Sequence, residues 1–266
     1  MKRLKMLGVG KSRRGYTIVE ALIFLAVSGA LLVSAGVIIN GRQERTRFAQ
    51  AVDDVGLTLQ DYFNDVSTGY YPNSNNLLCS GGVLGLTLQT TGSSSTGTNA
   101  QCVFSGKLFH FFPTGTAGYT AYTVVSNASA TSFASSRSEL VGFPPNGGIV
   151  DNLPNTVDLQ TKKVVLKGNP AITYMSLVIV SDFGNTSGTS LTGNAGRLEL
   201  YGSTLAPGEI LTMGSLPLTL TKIPANASVL ICLQQSTDTS RRGVVTITPQ
   251  LTVERVINQS WDNECN

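Results

Sequence analysis

The chain of 266 residues is poor in charge: Lys, Arg, Asp and Glu together make up 13% of it. That is low for the solvated surface of an ordinary cytosolic enzyme. A surface covered by hydroxyls and amides suits an exported protein. There is a single histidine, and the four cysteines form no C-x-x-C pair, so neither zinc-ligand nor dithiol-redox spacing is present. G-x-S-x-G, a phosphate-binding loop and a paired-carboxylate motif are all missing. No catalytic residue, no metal and no cofactor is therefore expected, and the chain does not read as an enzyme. His110, inside Leu108-Phe109-His110-Phe111-Phe112, reads as a packed strand histidine rather than a base. Residues 1–15 contain no acid, residues 16–71 contain no proline, and no internal repeat is visible.

What is present is unevenly placed. Lys2, Arg3, Lys5, Lys11, Arg13 and Arg14 all fall in residues 1–15. Without that segment, thirteen basic residues face sixteen acidic ones, and the stated net charge of +3 becomes −3. The basic balance thus belongs to a leader and does not argue that the body binds nucleic acid. Residues 16–39 follow as an apolar run whose only ionisable side chain is Glu20. At about 1.5 Å per residue such a helix crosses a hydrocarbon layer of ~30 Å with some tilt. The cations before it expect the N-terminus to stay in the cytoplasm and the rest to be exported. A carboxylate in that run costs on the order of 3 kcal/mol, so something should meet it there.

The order of these features, basic residues, Gly15, aromatic Tyr16, Thr17, two aliphatics, Glu20 and an unbroken apolar helix, resembles the prepilin-type signal of type IV pilins and the related pseudopilins. The resemblance is tight over about the first 40 residues. It implies that a prepilin peptidase cuts between Gly15 and Tyr16 and methylates the new amine. The apolar helix is then retained, because the cut precedes it. Tyr16 stands where phenylalanine is usual, and the ring is kept. In such a filament the helices pack side by side in a staggered bundle. Glu20 of one subunit would face the Tyr16 ammonium of a neighbour, and the pair would set the axial register.

Helical periodicity continues beyond the span. Phe48, Val52, Val55, Leu59, Tyr62 and Val66 recur at spacings of four and three, with polar residues between them. The cluster Gly69, Pro72 and Asn73 ends the pattern. One helix over 16–67 would be about 75–80 Å long. Its first half needs neighbours all round, and its second half needs a domain on one side. The expected fold is α+β: a long N-terminal helix, membrane-spanning then amphipathic, packed on an antiparallel β head. The expected organisation is a leader at 1–15, a span or filament core at 16–40, an amphipathic half-helix at 41–68 and a head at 69–266.

In the head, candidate strands lie at 107–112, 119–125, 163–167, 174–181, 197–201, 229–234, 244–248 and 251–256. Residues 173–181 are the most apolar and are expected to be central. Pro249-Gln250 reads as a hairpin turn. Residues 231–255 loosely resemble the last strands of minor pseudopilins of the H or FimT type, with Pro249-Gln250 where Gly-Arg is usual. The polar loops 87–100, 126–138 and 184–196 lack apolar anchors.

In an exported head, Cys79, Cys102, Cys232 and Cys265 read as two disulfides, with three connectivities open. Cys79–Cys102 would close a polar loop, and Cys232–Cys265 would pin the C-terminal tail to a strand. The latter pair resembles the disulfide-bounded C-terminal region of many pilins. Arg241-Arg242 is compatible with DNA or an anionic surface and equally with ordinary surface charge, so nucleic acid stays unassigned.

The expectation is a structural subunit of a type IV filament system, a minor pilin or pseudopilin. The resemblance implies as partners other such subunits, the prepilin peptidase, an inner-membrane platform and its ATPase, with membrane lipid before assembly. The expected location is the cytoplasmic membrane, single-pass with the head outside, and then an extracellular or periplasmic filament. The alternative is a membrane-anchored binding module or adhesin that never polymerises.

Overall fold

A computed structural model describes residues 17–68, 78–82, 85–89, 102–111, 119–127, 133, 138–141, 151–152, 159–181, 198–205, 220–257 and 264–265. Helix α1 covers Ile18–Thr68. The first strands are β1 (Leu78–Gly82), β2 (Gly85–Gln89), β3 (Cys102–Phe111), β4 (Tyr119–Asn127), β5 (Ser138–Val141), β6 (Asp151–Asn152) and β7 (Leu159–Leu166). The remainder are β8 (Asn169–Thr173), β9 (Ser176–Ser181), β10 (Leu198–Ser203), β11 (Thr221–Lys222), β12 (Val229–Gln235), β13 (Arg242–Ile247) and β14 (Val253–Ile257). The chain is α+β. It divides into two compact units, Met1–Thr46 and Arg47–Asn266, and the division falls inside α1.

In the first unit, Ile18–Gly36 is long and apolar enough to cross a membrane, and none of it is buried. Phe24 and Leu32 are 72% and 75% exposed.

In the second unit, the residues of α1 from Arg47 onward enter the core. Phe48, Val52, Val55, Leu59, Tyr62 and Val66 are buried, joined by Ala51 and Phe63. The stripe is broader than the sequence spacing indicates because two sheets meet this part of the helix. One follows the order β11-β10-β9-β3-β4-β5, with β6 also on β4, and the other follows β14-β13-β12-β7-β8. Strands β1 and β2 pair separately. All recorded pairings are antiparallel.

Alternation along the strands divides the residues between faces. In β12, Val229, Ile231 and Leu233 join the helix core, whereas Leu230 and Cys232 belong to a cluster on the other face. In β3, Phe109 and Phe111 join the helix core, and Tyr62 meets Phe109 at 5.2 Å between ring centroids. Leu108 joins Val124, Val178, Val180 and Tyr201 on the opposite face together with Phe133, which is buried, so the 126–138 segment, expected to lack an apolar anchor, has one.

Residues 173–181 are not one strand. Strand β8 lies in one sheet and β9 in the other, and the chain changes sheets at Tyr174-Met175. The Tyr174 N–H donates to Val164 O, and the Met175 N–H donates to Ser203 O, both at 2.8 Å. The change of partner interrupts an apolar run that periodicity alone cannot divide. Strand β9 itself lies between β10 and β3 with five consecutive buried residues. At the Pro249-Gln250 hairpin, Pro249 supplies a pre-set φ, and Leu251 takes the left-handed conformation at φ 58°. Thr248 and Thr252 close it by a backbone hydrogen bond of 2.9 Å.

Two glycines permit the close approach of sheet to helix. A Cβ on Gly243 would come 2.9 Å from Val52, and one on Gly56 would come 2.5 Å from Arg255. Leu59→Ala should lower head stability by about 2–5 kcal/mol. Leu57→Ala, at a helix position 51% exposed, should change it by less than about 0.5 kcal/mol. Denaturant unfolding followed by near-ultraviolet circular dichroism compares the two variants.

Candidate functional site

The helix start is built from Thr17 and Glu20. The Thr17 carbonyl accepts the Ala21 N–H at 3.1 Å, and Thr17 Oγ1 accepts the Glu20 N–H at 3.3 Å. Thr17 is therefore the N-cap, and Glu20 holds the third helical position. T-x-x-E at this spacing is the capping-box pattern, and Thr17 makes its half of it. The same spacing is readable in the sequence. A carboxylate in the first turn also faces the positive end of the helix dipole. That placement is favourable within its own chain, and the Glu20 side chain is solvent-exposed. Gly15 and Tyr16 lie outside the described residues.

The six stripe residues meet the sheets together with polar clamps that the sequence did not announce. Lys107, buried on β3, approaches Asp65 of α1 at 3.5 Å and lies 4.0 Å over the Tyr62 ring. Arg255 of β14 reaches Asp53 at 3.4 Å across Gly56. The Val253 N–H donates to Gln60 Oε1 at 3.1 Å. No periodicity marks these groups, because each needs a partner from a distant part of the chain.

Cys232 and Cys265 form a disulfide with Cα atoms 5.8 Å apart. The side chains of Cys79 and Cys102 lie outside the described residues. The tail is also held by Glu264. Its carboxylate accepts the Gly168 N–H at 2.6 Å, and its carbonyl accepts from Lys163 Nζ at 3.4 Å. Gly168, at φ +84°, makes the β7–β8 turn. Cys265 packs with Val165, Leu230 and Cys232 on the face of β12 away from α1.

His110 is buried on β3. Its Nδ1 lies 3.1 Å from Met175 O and 3.2 Å from Ser176 Oγ. A carbonyl only accepts, so Nδ1 carries the proton. Ser176 Oγ donates to Leu205 O at 3.2 Å. Nδ1 cannot take a proton from Ser176, and the pair is a packing arrangement rather than a nucleophile and its base. Among the described residues, no group of three or more His, Cys, Asp or Glu is placed to hold a metal ion. On the rim, Glu199 pairs with Lys222 and accepts from the Tyr201 hydroxyl.

Compared with known proteins, the chain matches no family model, no curated protein and no solved structure.

Two predictions follow from the head. The Cys232–Cys265 bond closes a loop of 33 residues. Reducing it, or substituting Cys265→Ser, should cost about 3–4 kcal/mol by loop-closure entropy, measured by denaturant melts with and without reductant. Burial holds the His110 pKa below its ordinary value, partly offset by the hydrogen bond to Met175. The unfolded chain then binds the proton more readily than the folded one. Stability should be full above the ordinary value of 6.5 and decline as pH falls below it. Melts across that range should show a decline that His110→Gln diminishes.

Proposed function

We propose that this chain is a subunit of a type IV filament system, a minor pilin or pseudopilin, processed by a prepilin peptidase. The observation that carries the reading is the uncovered apolar helix with a carboxylate in its first turn, directly after the basic segment, Gly15 and Tyr16. In this reading the subunit waits in the cytoplasmic membrane with its head outside. The inner-membrane platform and its ATPase then drive its helix out of lipid and into the bundle. The apolar faces exchange lipid for neighbouring helices. In this reading the subunit performs no catalysis. Glu20 pairs with the Tyr16 ammonium of the next subunit, and any other stagger leaves both charges unpaired.

The second reading, a membrane-anchored binding module that never polymerises, is favoured by the capping box. If Glu20 only caps its own helix, no neighbour is needed to explain it. Glu20→Gln separates the two readings, since glutamine serves in a capping box but carries no charge. The filament reading expects Glu20→Gln to be cleaved and inserted normally and to enter sheared filaments at least tenfold less than the parent chain. Normal entry of that variant would falsify the register pair.

A further inference from the structure

Four asparagines begin an N-x-S triplet: Asn127, Asn185, Asn226 and Asn258. The fold treats them unequally. Asn127 ends β4, opposite Cys102 of β3 in the ladder. Asn185 and Asn258 lie outside the described residues. Asn226 falls in the turn that leads from β11 to β12, and it is exposed.

The Ala227 N–H donates to Pro224 O at 2.9 Å, which closes a β-turn over residues 224–227. Pro224, Ala225 and Asn226 are exposed, while Ile223 before them and Val229 after them are core residues. The backbone is held on both sides of the turn. The Ile223 N–H donates to Leu200 O at 2.8 Å, and Ser228 O accepts from the Lys167 N–H at 2.9 Å. Those bonds engage the main chain, so an exposed Asn226 is presented on a fixed support.

We infer that Asn226 is a modification site, the acceptor of an N-linked glycan delivered from a lipid-phosphate-linked oligosaccharide. The inference rests on the proposed placement of the head outside the membrane. The triplet has Ala227 rather than proline in its middle, and Ser228 supplies a hydroxyl two residues on for a transferase to recognise. In the transfer, Asn226 Nδ2 forms a bond to the anomeric carbon of the sugar. The bond from that carbon to the phosphate oxygen breaks, the lipid phosphate leaves with the electron pair, and the amide gives up one proton. The folded head accommodates the product, because residues 224–226 are exposed and a bulky group there displaces no core side chain. A surface drawn from a chain with only 13% charged residues has few ions to hold water. A glycan adds hydroxyls at that surface without adding charge.

The test recovers the full chain from membranes of its native host and reads the mass of the reduced tryptic peptide 223–241, which carries Asn226. Protease accessibility of the head in right-side-out membrane vesicles is measured alongside. The expected result is an accessible head and a peptide heavier by a glycan that yields sugar fragment ions. Asn226→Gln and Ser228→Ala should each abolish the mass excess, and Ser228→Thr, which keeps the hydroxyl, should retain it. Near-ultraviolet circular dichroism checks that the variants fold, and the unaltered chain gives the answer by itself if one does not. An accessible head whose peptide 223–241 has its unmodified mass overturns the site alone. A mass excess that survives Asn226→Gln also overturns it, in favour of a hydroxyl-linked group. A head protected from protease overturns the export reading, and the site with it.

Discussion

The apolar surface of Ile18–Gly36 needs cover, and among the described residues it stands exposed. Ten large apolar side chains from Ile18 to Val33 stand exposed. At about 2 kcal/mol each, leaving them in water costs on the order of 20 kcal/mol, more than the whole net stability of a typical domain. In the proposed reading, hydrocarbon or other apolar helices surround this segment. The head has the opposite character, with a closed core of its own. A protein built from one uncovered rod segment and one self-sufficient head is suited to exchanging one apolar environment for another. That exchange is the physical content of the filament proposal.

Glu20 is where the proposal meets its strongest rival. Its place in the first turn, beside the positive end of the helix dipole and in a T-x-x-E pattern with Thr17, favours the helix start and requires no neighbour. The two roles are compatible in time. A subunit waiting in lipid benefits from a capped, dipole-compensated helix start, and one entering a bundle benefits from a charge that recognises a particular stagger.

Sequence periodicity was informative where one physical rule dominates. The six stripe positions are all buried, because spacings of four and three put them on one helical face. Phe63 escaped notice because a stripe one residue wide describes a helix against one surface, and here two sheets press on it. The eight candidate strands all overlap real ones, since each is apolar and β-branched between turn residues. Strands β1, β2, β5, β6, β8 and β11 were not anticipated. They are short or at sheet edges, where neither length nor alternation marks a strand. The change of sheet at Tyr174-Met175 and the Lys107–Asp65 clamp depend on partners distant in sequence, which no local pattern encodes. Thr17, by contrast, was legible as T-x-x-E and was overlooked.

The most direct test of the central claim is mass spectrometry of the mature N-terminus, on protein from native membranes or sheared filaments. The account predicts a chain that begins at Tyr16, with the apolar helix intact and the terminal amine free or methylated. A chain beginning at Met1 in its native host would contradict processing and leave a plain membrane anchor. A chain beginning beyond Gly36 would mean that the helix is discarded, and with it the role assigned to Glu20.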